Sequence, residues 1–309
     1  GHVEADLDLV ALIHNLDLFL GFFLAFAVKA PMVPFHTCLP DAAAEATPGT
    51  SVLLVGILDK IGTFGMIRFC LSLFPNASEW GTPVVLVLAL ISVLYGALVA
   101  IGQTDIKRLI AYTSISHFGF IVMGIFALTS QGLTGSTLYM FNHGLSTAAL
   151  FLVAGYLISR RGSARIADYG GVEKVAPVLA GTFLFAGLSS LALPGLSPFI
   201  SEFMVLAGTF SRHKVLAVIA VLGIVLAALY ILIMYQRLMT GPVRDGIEKL
   251  KDLNVREVLA IAPLVVLIIG LGIFPKPVVD IIKPAVESTM QHVGVSDKAP
   301  EIPVTEGQK

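Results

Sequence analysis

The sequence predicts an all-α, polytopic membrane protein: a bundle of about eight transmembrane helices, two of them broken. Three observations carry this reading. The chain is 56% hydrophobic and 13% charged, with a mean hydropathy of +0.88, whereas soluble domains carry about 25% charged residues. Apolar runs long enough to cross a bilayer, about 20 residues per helix, recur along its length. Two of these runs are interrupted by closely spaced prolines, Pro31 and Pro34 in the first and Pro194 and Pro198 in the sixth. The net charge of −1 says nothing about partners, and no basic patch with interleaved aromatics points to nucleic acid.

Taken in order, the first span covers residues 9–40. Its apolar helix reaches Lys29, then meets Pro31 and Pro34, with His36 and Asp41 beyond. Irregular backbone at membrane depth is tolerated only inside protein or along a wet cavity, so a break here marks a site. The second span covers 50–71, where Thr47 and Pro48 supply an N-cap and a first-turn proline. The third covers 82–102, the fourth 106–128 and the fifth 135–159. The sixth, 176–210, is broken at 194–198. The seventh covers 215–240 and the eighth 255–274. The bundle is thus expected over residues 1–280. The remaining segment, 281–309, is polar and proline-bearing and is expected to be loosely ordered.

Positive residues set an orientation. The loops after spans one, three, five and seven hold Lys107, Arg108, Arg160, Arg161, Arg165, Lys174, Arg244, Lys249, Lys251 and Arg256, while the others hold little beyond Arg212 and Lys214. The positive-inside rule makes the first set cytoplasmic and puts the C-terminus outside. Cys38 and Cys70 fit no metal or redox spacing. They are expected at opposite ends of a span, about 30 Å apart by helical rise, so no disulfide is expected. The chain opens at Gly1, without methionine or signal-peptide pattern, and enters a span almost at once, as a piece of a longer protein would. The paired proline breaks, Pro31-x-x-Pro34-Phe35 and Pro194-x-x-x-Pro198-Phe199, are a short echo of the kind that marks inverted-repeat transporters.

Ionisable residues inside the spans are few: Lys29, Asp59, Lys60, His117, His143 and Glu202. A charge at the centre of a membrane helix costs roughly 2.5–3.5 kcal/mol on insertion scales and usually serves ion or proton movement. Burial disfavours the charged form of any such group, and histidine titrates near neutral pH with little shift. Together these residues read as a proton relay. Each also has a plainer reading. Lys29 has, as its lesser alternative, the reading of a snorkelling residue at a helix end. Lys60, about ten residues from either end of its helix, is too deep for that. Asp59 points roughly 100° away from Lys60 and is expected to face another helix. His117 and His143, with Thr113, Thr147, Asn142 and Ser146 nearby, read also as hydrogen-bonded packing residues. Glu202 reads also as a cap on the second half of its broken helix. No metal-ligand spacing, phosphate loop or nucleophile elbow is present in the sequence.

Five segments carry a family resemblance: AVKAPMVPFHTCLPDA, GTSVLLVGILDKIGTFGMIRF, IGQTDIKRLIAYTSISHFGF, FNHGLSTAALFLVAG and LALPGLSPFISEF. In this order they resemble the antiporter-like subunits of respiratory complex I, the proton-translocating NADH–quinone oxidoreductase, which are related to subunits of multi-subunit Na+/H+ antiporters. The resemblance covers most of residues 9–240. It implies part of an inverted-repeat fold of fourteen core helices: residues 9–71 would close the first five-helix repeat, 82–240 would form the second, and 255–274 a final helix. The family's essential glutamate on an earlier helix would then lie outside this chain.

By position, Lys29 is similar to the proton-holding lysine of the first broken helix and Lys60 to the bridging lysine of the next. His117 and His143 are similar to the histidines linking the half-channels. Glu202 stands where most paralogues have lysine, which points within the family to the M-type subunit. Cys38, Ala43 and Asp59 depart from the pattern, where tryptophan, histidine and an apolar residue are usual. The resemblance implies a bacterial plasma-membrane subunit, embedded in the lipid bilayer, that moves protons. It implies no cofactor in this chain; NADH, FMN, Fe–S clusters and quinone belong to partner subunits of the complex. The rival readings are a subunit of a Na+/H+ antiporter or membrane-bound hydrogenase, and an inactive structural scaffold.

Overall fold

A computed structural model describes residues 2–297, with side chains from Asn15 onward. The first broken span is α1 (His2–Lys29), an irregular stretch over 30–37, and α2 (Cys38–Glu45). The second is α3 (Pro48–Leu71). Then come α4 (Pro75–Ile101), α5 (Ile106–Phe126) and α6 (Ser130–Arg161). The sixth span is split into α7 (Pro177–Ser190) and α8 (Ser197–Arg212). The other long helices are α9 (Lys214–Met239), α10 (Val255–Ile273) and α11 (Lys276–Val293), and two short helical turns, Ile166–Asp168 and Val172–Val175, lie between α6 and α7. No strand occurs among the described residues beyond one isolated bridge, Asp105 to Arg165.

Local chemistry fixes most of the helix starts. Thr47 accepts from Thr50 N–H, with Pro48 in the first turn. Asp105 accepts from Arg108 N–H ahead of α5, and Thr129 from Gly132 N–H ahead of α6. Each side chain satisfies an N–H that the helix start would leave orphaned. Gly162, at φ 76°, ends α6 in the left-handed conformation that glycine adopts without penalty.

Among the described residues six helices, α3, α4, α5, α6, α9 and α10, are long and apolar enough to cross a membrane. That is fewer than the eight spans expected, and the difference falls on the two broken ones. α7 and α8 are individually short, and α1 has described side chains only from Asn15. The second break also shifts: residues 191–196 leave the helix, while Pro198 already sits in the first turn of α8, where its missing N–H costs nothing. α4 and α6 start earlier than the hydropathy suggested, at Pro75 and Ser130.

The segment after residue 280 corrects a further expectation. Residues 281–293 are not loose but continue α11. This amphipathic helix buries Val286, Met290 and Val293. His292 meets the Ser72 carbonyl at 2.7 Å, and Asp297 accepts from Ser130 N–H at 2.9 Å. α11 therefore lies across the bundle end where α3 finishes and α6 begins.

At the other end, Arg160 fastens α6 to the segment before α10. It makes a two-pronged pair with Glu257 at 2.9 and 2.5 Å and donates to the Lys251 carbonyl at 2.7 Å. Asp252 accepts from Val178 and Leu179 N–H and so closes the start of α7. Lys107 donates to the Ala44 and Ala46 carbonyls at the end of α2.

α5 is the axis of the bundle, with 94% of its most apolar window buried. The apolar interior forms two clusters, one at each end of the helices. On α5 the division falls between Ile115 and Phe118, on α6 between Tyr139 and Leu145, on α3 between Val55 and Met66. His117, His143 and Lys60 occupy those three boundaries. A polar layer thus crosses the bundle between two apolar ones.

Candidate functional site

Lys60 sits where α3 departs from regular geometry. Residues Leu54–Leu58 form a π-helical turn, in which Asp59 N–H reaches back five residues to the Leu54 carbonyl. Such turns are inserted most often at functional sites. The Lys60 amine donates to the Val55 carbonyl and contacts His143 Nδ1 at 2.8 Å. It also lies 5.1 Å from the centre of the Phe118 ring. An ammonium can only donate, so a charged Lys60 requires His143 Nδ1 to accept. His143 Nε2 then carries the proton toward Thr147 Oγ1 at 3.1 Å.

The second half of the site is anchored by α8. Glu202 is buried, and its Oε2 accepts from the Tyr139 hydroxyl at 2.7 Å. That hydroxyl also lies 2.7 Å from His117 Nδ1. With its one proton given to Glu202, the hydroxyl must accept from His117 Nδ1–H. The Tyr230 hydroxyl lies 3.3 Å from the other ring nitrogen of His117. Asn142 donates to the Ser197 carbonyl at 2.7 Å and to Ser201 Oγ at 3.2 Å, which ties the start of α8 to α6 beside Glu202. Gly208 and Gly132 bring the same two helices together, since a Cβ on Gly208 would collide with the Gly132 backbone.

The two halves meet at the histidines. The His117 and His143 rings lie 5.2 Å apart between centroids, with no direct hydrogen bond between them among the described residues. Lys60, His143, His117, Tyr139 and Glu202 thus form one line of polar groups through four helices, α3, α6, α5 and α8. Lys60 alone in this line is part-exposed. It borders a cavity of about 560 Å³ lined by Val52, Gly56, Met140, Gly144 and Leu264.

The sequence-predicted residues are therefore brought together unequally. Lys60, His117, His143 and Glu202 share the line, whereas Lys29 is the exposed last residue of α1 and joins none of its hydrogen bonds. Glu202 does not cap α8, which has no side-chain cap. Thr147 meets His143 as its spacing suggested, but Thr113 donates to the Ile110 carbonyl instead of to His117. Cys38 is exposed and Cys70 buried, both as free thiols. Ala43 is buried against α5 within the apolar cluster. Tyr139 and Tyr230 were not picked out from the sequence, because neutral phenols carry no charge to mark them within an apolar run. A signal was present for Tyr139: with His143 and Thr147 it repeats every fourth residue, which puts all three on one helix face.

Fold and site define a multi-pass helical membrane protein with a line of buried and part-buried titratable side chains across its middle. A sequence profile of the NADH:quinone oxidoreductase/Mrp antiporter transmembrane family matches residues 6–227, and the chain belongs to that family. It is 61% identical over 285 residues to NADH-quinone oxidoreductase subunit M of Mycobacterium tuberculosis, covering 92% of this chain and 52% of that protein. It is 42% identical over 290 residues to subunit M of Rickettsia prowazekii, covering 92% and 59%. A chain in the structure of respiratory complex I from Thermus thermophilus with bound NADH superposes with a TM-score of 0.84 at 35% identity, covering 90% of this chain and 59% of that one. The chain thus spans little more than half the length of the curated relatives it matches.

Proposed function

We propose that this chain works as part of the M-type proton-translocating subunit of NADH–quinone oxidoreductase, with no redox chemistry of its own. The observation that supports this most is the pair of short contacts at the two ends of the buried line: Lys60 to His143 at 2.8 Å, and Tyr139 shared between His117 and Glu202 at 2.7 Å each. Contacts of this length are within reach for direct proton transfer.

In the proposed sequence the Lys60 ammonium gives a proton to His143 Nδ1, leaving a neutral amine and an imidazolium. The proton crosses to His117 by rotation of a ring or over a bridging water. His117 then hands a proton to the Tyr139 oxygen as Tyr139 gives its own to Glu202. Lys60 is recharged from the Lys29 side. Each state must be favoured in turn by events elsewhere in the complex, because a line of polar groups alone drives nothing. Those events are NADH oxidation and quinone reduction at FMN, Fe–S clusters and quinone in partner subunits. The setting is a bacterial plasma membrane with the C-terminus outside, supported by the basic residues gathered at the opposite end of the bundle.

The test is NADH-driven, quinone-dependent acidification of inverted vesicles carrying the full-length protein in its complex, with and without Lys60→Ala. Loss of acidification with the complex still assembled supports the reading. Unchanged acidification in Lys60→Ala overturns it. Insensitivity to changes at both Lys60 and Glu202 would leave the scaffold reading, and sodium-dependent alkalinisation without NADH would favour an antiporter.

A further inference from the structure

Among the buried ionisable groups outside the line described above, Asp59 is the one next to Lys60 in sequence. Asp59 is 3% exposed, and its Oδ2 has no hydrogen-bond partner. A carboxylate held only to neutralise its neighbour would be bonded to it. Here the Lys60 amine turns away and spends its contacts on the Val55 carbonyl and His143. The two side chains diverge, as consecutive helical positions must.

The direction Asp59 takes follows from the packing. Three residues on, Gly62 presses against the end of α1: a Cβ there would collide with the Ala30 backbone nitrogen and the Phe26 carbonyl. Residues three apart share a helix face, so Asp59 looks toward the break that begins just after Lys29. The carboxyl is buried, with Lys60 next to it in sequence and the end of α1, where Lys29 stands, packed against the same helix one turn on. Among the described residues no hydrogen bond links Lys29 to the Lys60–His143 pair, and Asp59 lies on the face of α3 that turns toward the end of α1.

We propose that Asp59 is a proton-carrying residue between the Lys29 end of the first broken span and the Lys60–His143 pair. This rests on the proton-translocating reading above. The Lys29 ammonium passes a proton to the Asp59 carboxylate, giving a neutral amine and a carboxylic acid. Once Lys60 has passed its own proton to His143, its neutral amine swings back on its flexible four-carbon stem, and the acid protonates it and returns to carboxylate. Charge and protons balance at each step. The free oxygen is where the incoming proton is taken up, which explains why it is left without a fixed partner.

The experiment uses the assembled complex in inverted vesicles and compares wild type with Asp59→Asn, Asp59→Glu and Lys60→Ala. Two quantities are read: protons moved per NADH oxidised, and the NADH-induced infrared difference signal of protonated carboxyls. Asp59→Asn keeps the shape but cannot carry a proton. It is expected to lose as much of the proton yield as Lys60→Ala and to lose a carboxyl band. Asp59→Glu is expected to retain pumping and to shift that band.

A wild-type yield in Asp59→Asn overturns the proposal, and so does a lost yield with no carboxyl band altered, since that is the mark of a fixed charge. Should Asp59→Asn fail to assemble, an unshifted band in Asp59→Glu overturns it as well. In all three cases a silent Lys60→Ala leaves the broader reading standing. Normal pumping in Lys60→Ala fails the broader reading itself.

Discussion

Tyr139→Phe removes one oxygen and keeps the ring that packs between α5, α6 and α8. Among the described residues that oxygen is the only hydrogen-bonded link between His117 and Glu202, at 2.7 Å from each. Without it both buried groups lose a partner, and the nearest remaining hydroxyl to His117 is Tyr230 at 3.3 Å on its other nitrogen. A hydrogen bond to a charged group contributes about 1.5–3 kcal/mol. If that is withdrawn from the transfer step, at about 1.4 kcal/mol per factor of ten, pumping slows about ten- to a hundredfold. The assay is vesicle acidification normalised to NADH oxidation, with the assembled complex quantified in the same membranes. Phenylalanine fills the same space, so assembly is expected to survive. A Tyr139→Phe complex that pumps at the wild-type rate would refute the idea that protons pass between His117 and Glu202 through this hydroxyl.

Four further outcomes are expected. Arg160→Ala breaks the two-pronged pair with Glu257 and frees the segment before α10; stability in detergent should fall by about 2 kcal/mol, read as a lower melting temperature. Gly62→Val drives a side chain into the α1 backbone and should cost about 1–3 kcal/mol, read as reduced assembly. Burial alone would raise the Asp252 carboxyl, but N–H donors from Val178, Leu253 and Leu179, with the Arg160 charge, outweigh it and hold the group below the ordinary carboxylate value. Its stabilising effect is therefore present above the unfolded value, about pH 4, and lost as pH falls through the lower folded one; melting temperature against pH should show an acid-side decline that is smaller in Asp252→Ala. Asn142→Ala should loosen α8 at Ser197 and Ser201 and weaken pumping more than assembly.

Much of this architecture is legible in the sequence because a bilayer imposes long apolar helices and makes each interruption conspicuous. The prolines near Lys29 and Glu202 announced both breaks, and the mid-span charges announced Lys60, His117, His143 and Glu202. The less legible features depend on where side chains end up in three dimensions. Tyr139 joins two halves of the line through a hydroxyl that hydropathy does not register. Lys29 stands apart because the helix ends there and leaves it on an outer face. The π-helical turn ahead of Lys60, over the apolar run Leu54–Leu58, carries no residue that hydropathy or helix-breaking signals would pick out. The helical character of 281–293 was hidden by a mixed composition whose apolar residues, Val286, Met290 and Val293, make sense only once a bundle end exists to receive them.

The division of the interior into two apolar clusters with a polar layer between them has an electrical consequence. A proton on any group of that layer faces dry hydrocarbon both above and below. Moving a bare ion into such a medium carries an idealised cost of order 20 kcal/mol. If the line carries protons as proposed, the clusters act as two insulating plates around it, and charge is expected to travel more easily in the plane of the membrane than across it. Leakage straight across is blocked by Phe120, Phe126 and Leu133 on one side and Ile110, Leu150 and Phe151 on the other. On that reading, a cavity opened in either plate is expected to short the device, letting protons run down their gradient without passing along the line.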